Sequence, residues 1–85
     1  MTTLNRELAS FIEKTLVGGD GRTTISDSTR LIEDGIVDSM GLMQIVDFLE
    51  ERTGVRVPDD DVAPENFETV LTITELVERL KQKRG

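Results

Sequence analysis

A chain of 85 residues that owns no cysteine has to hold itself together by packing alone. No disulfide or thiolate-bound metal is available to staple a domain this close to the lower size limit of independent folding. Tryptophan and tyrosine are also missing, and phenylalanine occurs three times, so the expected core is aliphatic, built from Leu, Ile and Val. Length predicts one domain, 1–85. The same absences restrict chemistry. With neither His nor Cys, Ser-His-Asp and Cys-His nucleophile systems are excluded, and so are zinc sites of the His/Cys type. A catalyst would have to run on carboxylates, Lys or Arg, and a helical domain of this size has little room for a deep pocket. The chain therefore reads as a non-enzyme with no catalytic residues.

Apolar spacing predicts helices. Residues 4, 8, 11, 12 and 16 share one face of a helix over about 4–17, with Thr3 or Thr2 as N-cap, and Gly18-Gly19-Asp20-Gly21 ends it. A long polar connection follows at 18–37. Its scattered aliphatics, Ile25, Leu31, Ile32, Ile36 and Val37, should pin it to the core, and Asp34-Gly35 marks a tight turn. A second helix is expected over 39–52, closed by Gly54. Residues 55–63 read as loop, and Pro64 opens a short third helix around 64–67. Thr69 caps a fourth, which carries Val70, Ile73, Leu76, Val77 and Leu80 on one stripe to about residue 83. Lys81, Lys83 and Arg84 suit the C-terminal end of its dipole. The expected fold is all-α: a small four-helix bundle of three main helices and one short third helix, with a long first loop. No apolar run approaches the roughly 20 residues of a membrane span. The opening MTTLNRELAS lacks the basic start and apolar stretch of a signal peptide, so cytoplasmic residence is the default expectation.

Charge is unevenly placed. The formal net charge is −7, and residues 31–68 hold eleven acids against two bases. That disfavours nucleic acid, which needs a basic patch. A solvated surface is the plain explanation, and a docking face for basic partners is the sharper one. The second helix bears on the choice. At about 100° per residue, Leu42, Ile45, Val46 and Leu49 form its core stripe. Met40 and Met43 fall on the opposite side with Asp47, Glu50 and Glu51, and Phe48 lies at the boundary. Either the long loop covers the two methionines, or they are exposed as adaptable contacts ringed by acid. The triplet Asp59-Asp60-Asp61 is a poor calcium loop, because its acids are consecutive and no glycine and closing glutamate follow. No metal site is expected.

Two Asp-Ser pairs occur, Asp27-Ser28 and Asp38-Ser39. Ser39 stands where the second helix begins, a place for a cap that Asp38 could also fill. A phosphodiester would be at home there too, because free N–H groups and the helix dipole stabilise phosphate. Spacing alone does not choose between cap and chemical handle.

The run LIEDGIVDSM at 31–40 resembles the attachment motif of acyl and peptidyl (aminoacyl) carrier proteins: an Asp-Gly turn, two aliphatics, then Asp-Ser-Leu or Asp-Ser-Met opening a helix. The likeness continues through FLEERTGVRVP at 48–58 and into the aliphatic fourth helix, so it covers essentially the whole chain. It implies a free-standing, monomeric carrier with 4′-phosphopantetheine bound covalently to Ser39, installed from coenzyme A by a phosphopantetheinyl transferase. It further implies that Asp38 helps position that enzyme and its magnesium ion. Acyl or aminoacyl intermediates would ride on the arm as thioesters in fatty-acid, polyketide or nonribosomal-peptide biosynthesis. The composition agrees independently: a chain without cysteine cannot form a thioester unless the thiol is brought in.

In the resembling families the second helix is the main recognition element, which maps partner binding onto Met40, Met43, Asp47, Phe48, Glu50 and Glu51. The implied partners are the transferase and the loading and processing enzymes with basic docking faces, with no membrane involved. Asp47 stands where many fatty-acid carriers have an apolar residue, so partners need not be interchangeable with theirs. The Asp-Ser-Met form is also similar to aminoacyl carriers charged by separate adenylating enzymes. Asp27-Ser28, followed by Thr29-Arg30 and no amphipathic helix, is expected to be unmodified loop. The competing reading is an acidic helical adaptor for basic proteins with no prosthetic group, which leaves Ser39 only a capping role.

Overall fold

The computed structural model describes residues 3–16 and 24–84, and over them the chain is helical. Helix α1 (Thr3–Phe11) runs directly into a π-helical turn, Ile12–Leu16. The spacing predicted a single regular helix, but the last turn is wider, as happens where an extra residue is accommodated in a helix. Thr3 lies inside α1 rather than before it. Thr2, Val17 and the glycine-rich stop at 18–21 lie outside the described residues. Leu8 and Ile12 are fully buried, and Leu4, Phe11 and Leu16 pack against the core from its edge.

Helix α2 (Ser39–Thr53) buries Ile45, Val46 and Leu49, with Leu42 half-buried beside them, which is the expected stripe. Gly54 ends it in the left-handed conformation, φ +72°, and its N–H donates to the Glu50 carbonyl at 2.9 Å. Only glycine adopts that geometry without strain. Helix α3 (Val70–Arg84) buries Val70, Ile73, Leu76, Val77 and Leu80, the full stripe read from the sequence. Thr69 caps it reciprocally. The Thr72 N–H donates to Thr69 Oγ1 at 3.1 Å, and the Thr69 N–H donates to Thr72 Oγ1 at 3.0 Å. This is a capping box with threonine in the place of the usual acid.

Between α2 and α3 the chain makes two 3₁₀ turns, Asp59–Asp61 and Pro64–Asn66. The second is the short helix that Pro64 opens, and the first falls where plain loop was expected. After them Phe67 enters the core with no exposed surface and is the largest fully buried side chain. The core is therefore not purely aliphatic. Phe67 belongs to the same buried cluster as Leu31 of the loop and Val70 of α3. A fully buried phenylalanine contributes about 1.5–3 kcal/mol relative to an exposed one.

The long connection is pinned rather than floating. Ile25, Leu31 and Val37 are buried. The Leu31 N–H donates to the Glu68 carbonyl at 2.8 Å, the Leu71 N–H donates to the Asp27 carbonyl at 3.2 Å, and the Ile25 N–H donates to the Glu13 carboxylate at 2.7 Å. Its backbone polar groups thus find partners on the π-helical turn after α1, on the residue before the α3 cap and on α3 itself. Among the described residues no helix is long and apolar enough to cross a membrane.

Candidate functional site

The approach to α2 is built by one turn. Gly35 adopts φ +74°, and the N–H groups of Ile36 and Val37 both donate to the Leu31 carbonyl at 2.9 Å. Val37 is buried and Ile36 half-buried, so the backbone reaches the start of α2 from a fixed anchor.

Asp38 is the N-cap. Its backbone is extended (φ −103°, ψ −171°), its Oδ1 accepts the Gly41 N–H at 2.8 Å, and its carbonyl accepts the Leu42 N–H at 2.8 Å. Asp38, not Ser39, therefore does the capping. Ser39 is the first residue of α2 and is exposed, and among the described residues no group hydrogen-bonds its hydroxyl. The N–H groups of a first helical turn have no partner within the helix, so the hydroxyl stands beside free donors at the positive end of the dipole. An exposed, uncommitted serine oxygen in that setting fits a phosphodiester.

The second Asp-Ser pair has a different setting. Asp27 and Ser28 occupy a loop turn in which the Thr29 N–H donates to the Ser26 carbonyl at 3.3 Å. The Asp27 carboxylate takes a hydrogen bond from the Asn5 side chain at 3.2 Å, and Ser28 Oγ lies 3.4 Å from Ser26 Oγ. Ser28 is not in the first turn of a helix but in a loop beside the start of α3, where the Asp27 carbonyl already takes the Leu71 N–H.

Along α2, Met40 is 72% and Met43 53% exposed, so the loop does not cover them. Asp47 and Glu51 are exposed on the same helix. The other two residues singled out on α2 are committed within the fold. Phe48 is half-buried and stacks on Phe11, with ring centroids 4.4 Å apart. Glu50 is half-buried, and its carboxylate accepts the Val57 N–H at 2.9 Å, which holds the segment after α2. Arg52, one of only two bases in the acidic stretch 31–68, hydrogen-bonds Glu7 of α1. That bond holds the Glu7 carboxyl below the usual carboxylate range and the Arg52 guanidinium above its own. No local pattern in the sequence announces these ties, and that of Arg52 to Glu7 spans 45 positions. Among the described residues no cluster of acids is arranged to hold a metal, the Asp59–Asp61 turn included.

Residues 18–80 match the family model described as "Phosphopantetheine attachment site". The chain belongs to that family of carrier proteins. It is 33% identical over 78 residues to "Probable acyl carrier protein PigG" of Serratia sp. (strain ATCC 39006), covering 92% of this chain and 88% of the relative. It is 30% identical over 59 residues to "Acyl carrier protein AsbD" of Bacillus anthracis, covering 69% and 65%. Among solved structures, it resembles a chain from the one described as "Crystal structure of FAD-dependent dehydrogenase". The TM-score is 0.73 and the identity 30%, over 82% of this chain and 97% of that one. Carrier proteins of this family bear 4′-phosphopantetheine on a serine and do not themselves catalyse. Modifying and processing enzymes act on them, the phosphopantetheinyl transferase among them. A reading without a prosthetic group is thereby set aside.

Proposed function

We propose that Ser39 is the attachment point and that the chain is a free-standing carrier of acyl or aminoacyl thioesters. The observation that carries this is the division of labour at the start of α2: the Asp38 carboxylate caps the helix and leaves the Ser39 hydroxyl exposed and unspent. In the modification, Ser39 Oγ loses its proton and forms a P–O bond, while the pyrophosphate bond of coenzyme A breaks and adenosine 3′,5′-bisphosphate leaves. The arm supplies the thiol that a cysteine-free chain lacks. The first turn of α2 stabilises the resulting phosphodiester through its free N–H groups and dipole. Asp38 lies next to the reacting oxygen, where its charge can hold the transferase's magnesium ion. Met40, Met43, Asp47 and Glu51 present an apolar and acidic face to basic partners, while Phe48 and Glu50 hold that face's edges.

The finer assignment is to biosynthesis of the polyketide or nonribosomal-peptide type, with Asp47 at odds with many fatty-acid carriers. The likeness to a chain from an FAD-dependent dehydrogenase structure supports a flavin enzyme among the processing partners. A helical domain this small cannot enclose a flavin, so the oxidation would be done by a separate protein on the carried group.

The test is intact mass after incubating the apo protein with coenzyme A and a broad-specificity transferase. Wild type and Ser28→Ala should gain one phosphopantetheine, and Ser39→Ala should gain none. A wild-type protein that gains nothing, or a Ser39→Ala variant that is still modified, overturns the proposal.

A further inference from the structure

Gly41 occupies the third position of α2, where nothing in the backbone requires glycine. Its φ is not positive, and glycine is among the poorest residues for a helix. It is nevertheless buried, two residues from an exposed serine and next to an exposed methionine. What surrounds it accounts for that. A β-carbon built at Gly41 would lie 3.3 Å from Asp38 Oδ1 and 3.3 and 3.4 Å from the two terminal methyl carbons of Leu16. The oxygen on that list is the one that accepts the Gly41 N–H. The methyls belong to the last residue of the π-helical turn that ends α1. The bare α-carbon therefore lets Leu16 close against the first turn of α2 while Asp38 keeps its capping geometry.

Resting on the assignment of Ser39 as the attachment point, we infer that Gly41 is a positioning residue for it: the missing side chain lets Leu16 and the Asp38 cap together fix the turn that presents the serine oxygen. A β-carbon there requires the Asp38 carboxylate and the Leu16 side chain each to give by a few tenths of an ångström. A small displacement of this kind matters for reaction more than for stability. An alanine improves helix propensity, while misplacing a reacting atom by about 1 Å can cost about 100-fold in rate.

The experiment uses apo wild type, Gly41→Ala, Leu16→Val and the double variant, each with coenzyme A and a broad-specificity transferase. It reads kcat and KM for the carrier separately, along with the thermal midpoint. Gly41→Ala should lose about ten-fold in kcat/KM, carried by kcat, with a midpoint within a few degrees of wild type. The double variant should recover most of that loss, because Leu16→Val withdraws the methyls that the new β-carbon meets. Gly41→Ala at the wild-type rate overturns the inference, and so does a rate loss that only follows a fallen midpoint. Should Gly41→Ala fail to fold, the double variant decides: folded and modified near the wild-type rate supports the coupling, and no recovery overturns it. If wild type itself is not modified, the assignment of Ser39 fails instead, which is a separate outcome.

Discussion

Asp38 is asked to do two things, and they can be separated by a single atom. As a cap it needs only a side-chain oxygen to receive the Gly41 N–H. As an aid to the transferase it needs a negative charge. Asparagine caps about as well as aspartate, whereas alanine at an N-cap costs about 1 kcal/mol, or roughly 4–8 °C in the melting midpoint of a domain this size. Asp38→Ala should therefore melt lower and Asp38→Asn close to wild type, by circular dichroism. Both should be modified slowly by the transferase. An Asp38→Asn protein modified at the wild-type rate would leave Asp38 as a cap and nothing more. The same equivalence explains why the sequence could not choose between cap and handle at this point. Serine and aspartate are nearly interchangeable as caps, and only the folded geometry assigns the role to Asp38. The Asp-Gly turn and the aliphatic pair after it were legible, since Gly35, Ile36 and Val37 are local features with local signatures.

Helices α2 and α3 were readable because their buried stripes recur at helical spacing, and burial of such a stripe is what stabilises a helix of this length. The ties between elements were not readable. Phe67 sits alone between Asn66 and Glu68, with no periodic partner to mark it as core. Glu50 reaches Val57, and Arg52 reaches Glu7 across 45 positions. Nothing in the spacing at 4–16 signals the π-helical turn. Two contacts between α1 and α2, the Phe11–Phe48 stack and the Glu7–Arg52 pair, make predictions. Phe48→Ala removes one ring of the Phe11 stack from a half-buried site and should destabilise by about 1–2 kcal/mol in urea titration. That loss should appear equally in protein that never meets a partner.

The Glu7–Arg52 pair adds a pH dependence whose sign is fixed by the lowered Glu7 pKa. A carboxylate whose folded pKa is depressed contributes its stability above the ordinary carboxylate range and loses it as the pH falls through the folded value. Wild type should therefore melt slightly above Glu7→Gln at neutral pH, and the gap should close on acidification. The pair is solvent-exposed, so the gap is small and salt-sensitive. A gap that widened toward acid would contradict the pairing.

At the scale of the whole molecule, recognition is predicted to have two parts that respond differently to salt. The acids at 31–68 concentrate negative charge in that stretch, and the two bases among them do little to cancel it, since Arg52 is already engaged by Glu7. A negative field from clustered exposed acids raises encounter rates with a basic partner by roughly 10-fold or more at low ionic strength. It is screened beyond about 3 Å at 1 M salt. Met40 and Met43, in contrast, offer apolar contact area that salt does not screen. Asp47 and Glu51 are the acids to reverse, because both are exposed, whereas reversing Glu50 would also release the Val57 N–H and confuse docking with folding. With apo protein and the transferase, Asp47→Lys/Glu51→Lys should lower kcat/KM by about ten-fold at about 0.01 M salt and converge on wild type near 1 M. Met40→Ala/Met43→Ala should lose a comparable factor, about 1.4 kcal/mol of contact, at both salt concentrations. A charge-reversed protein that stays slow at high salt would mean that Asp47 and Glu51 act by shape or local structure. A methionine pair whose removal costs nothing would mean that their exposure on α2 has no part in docking.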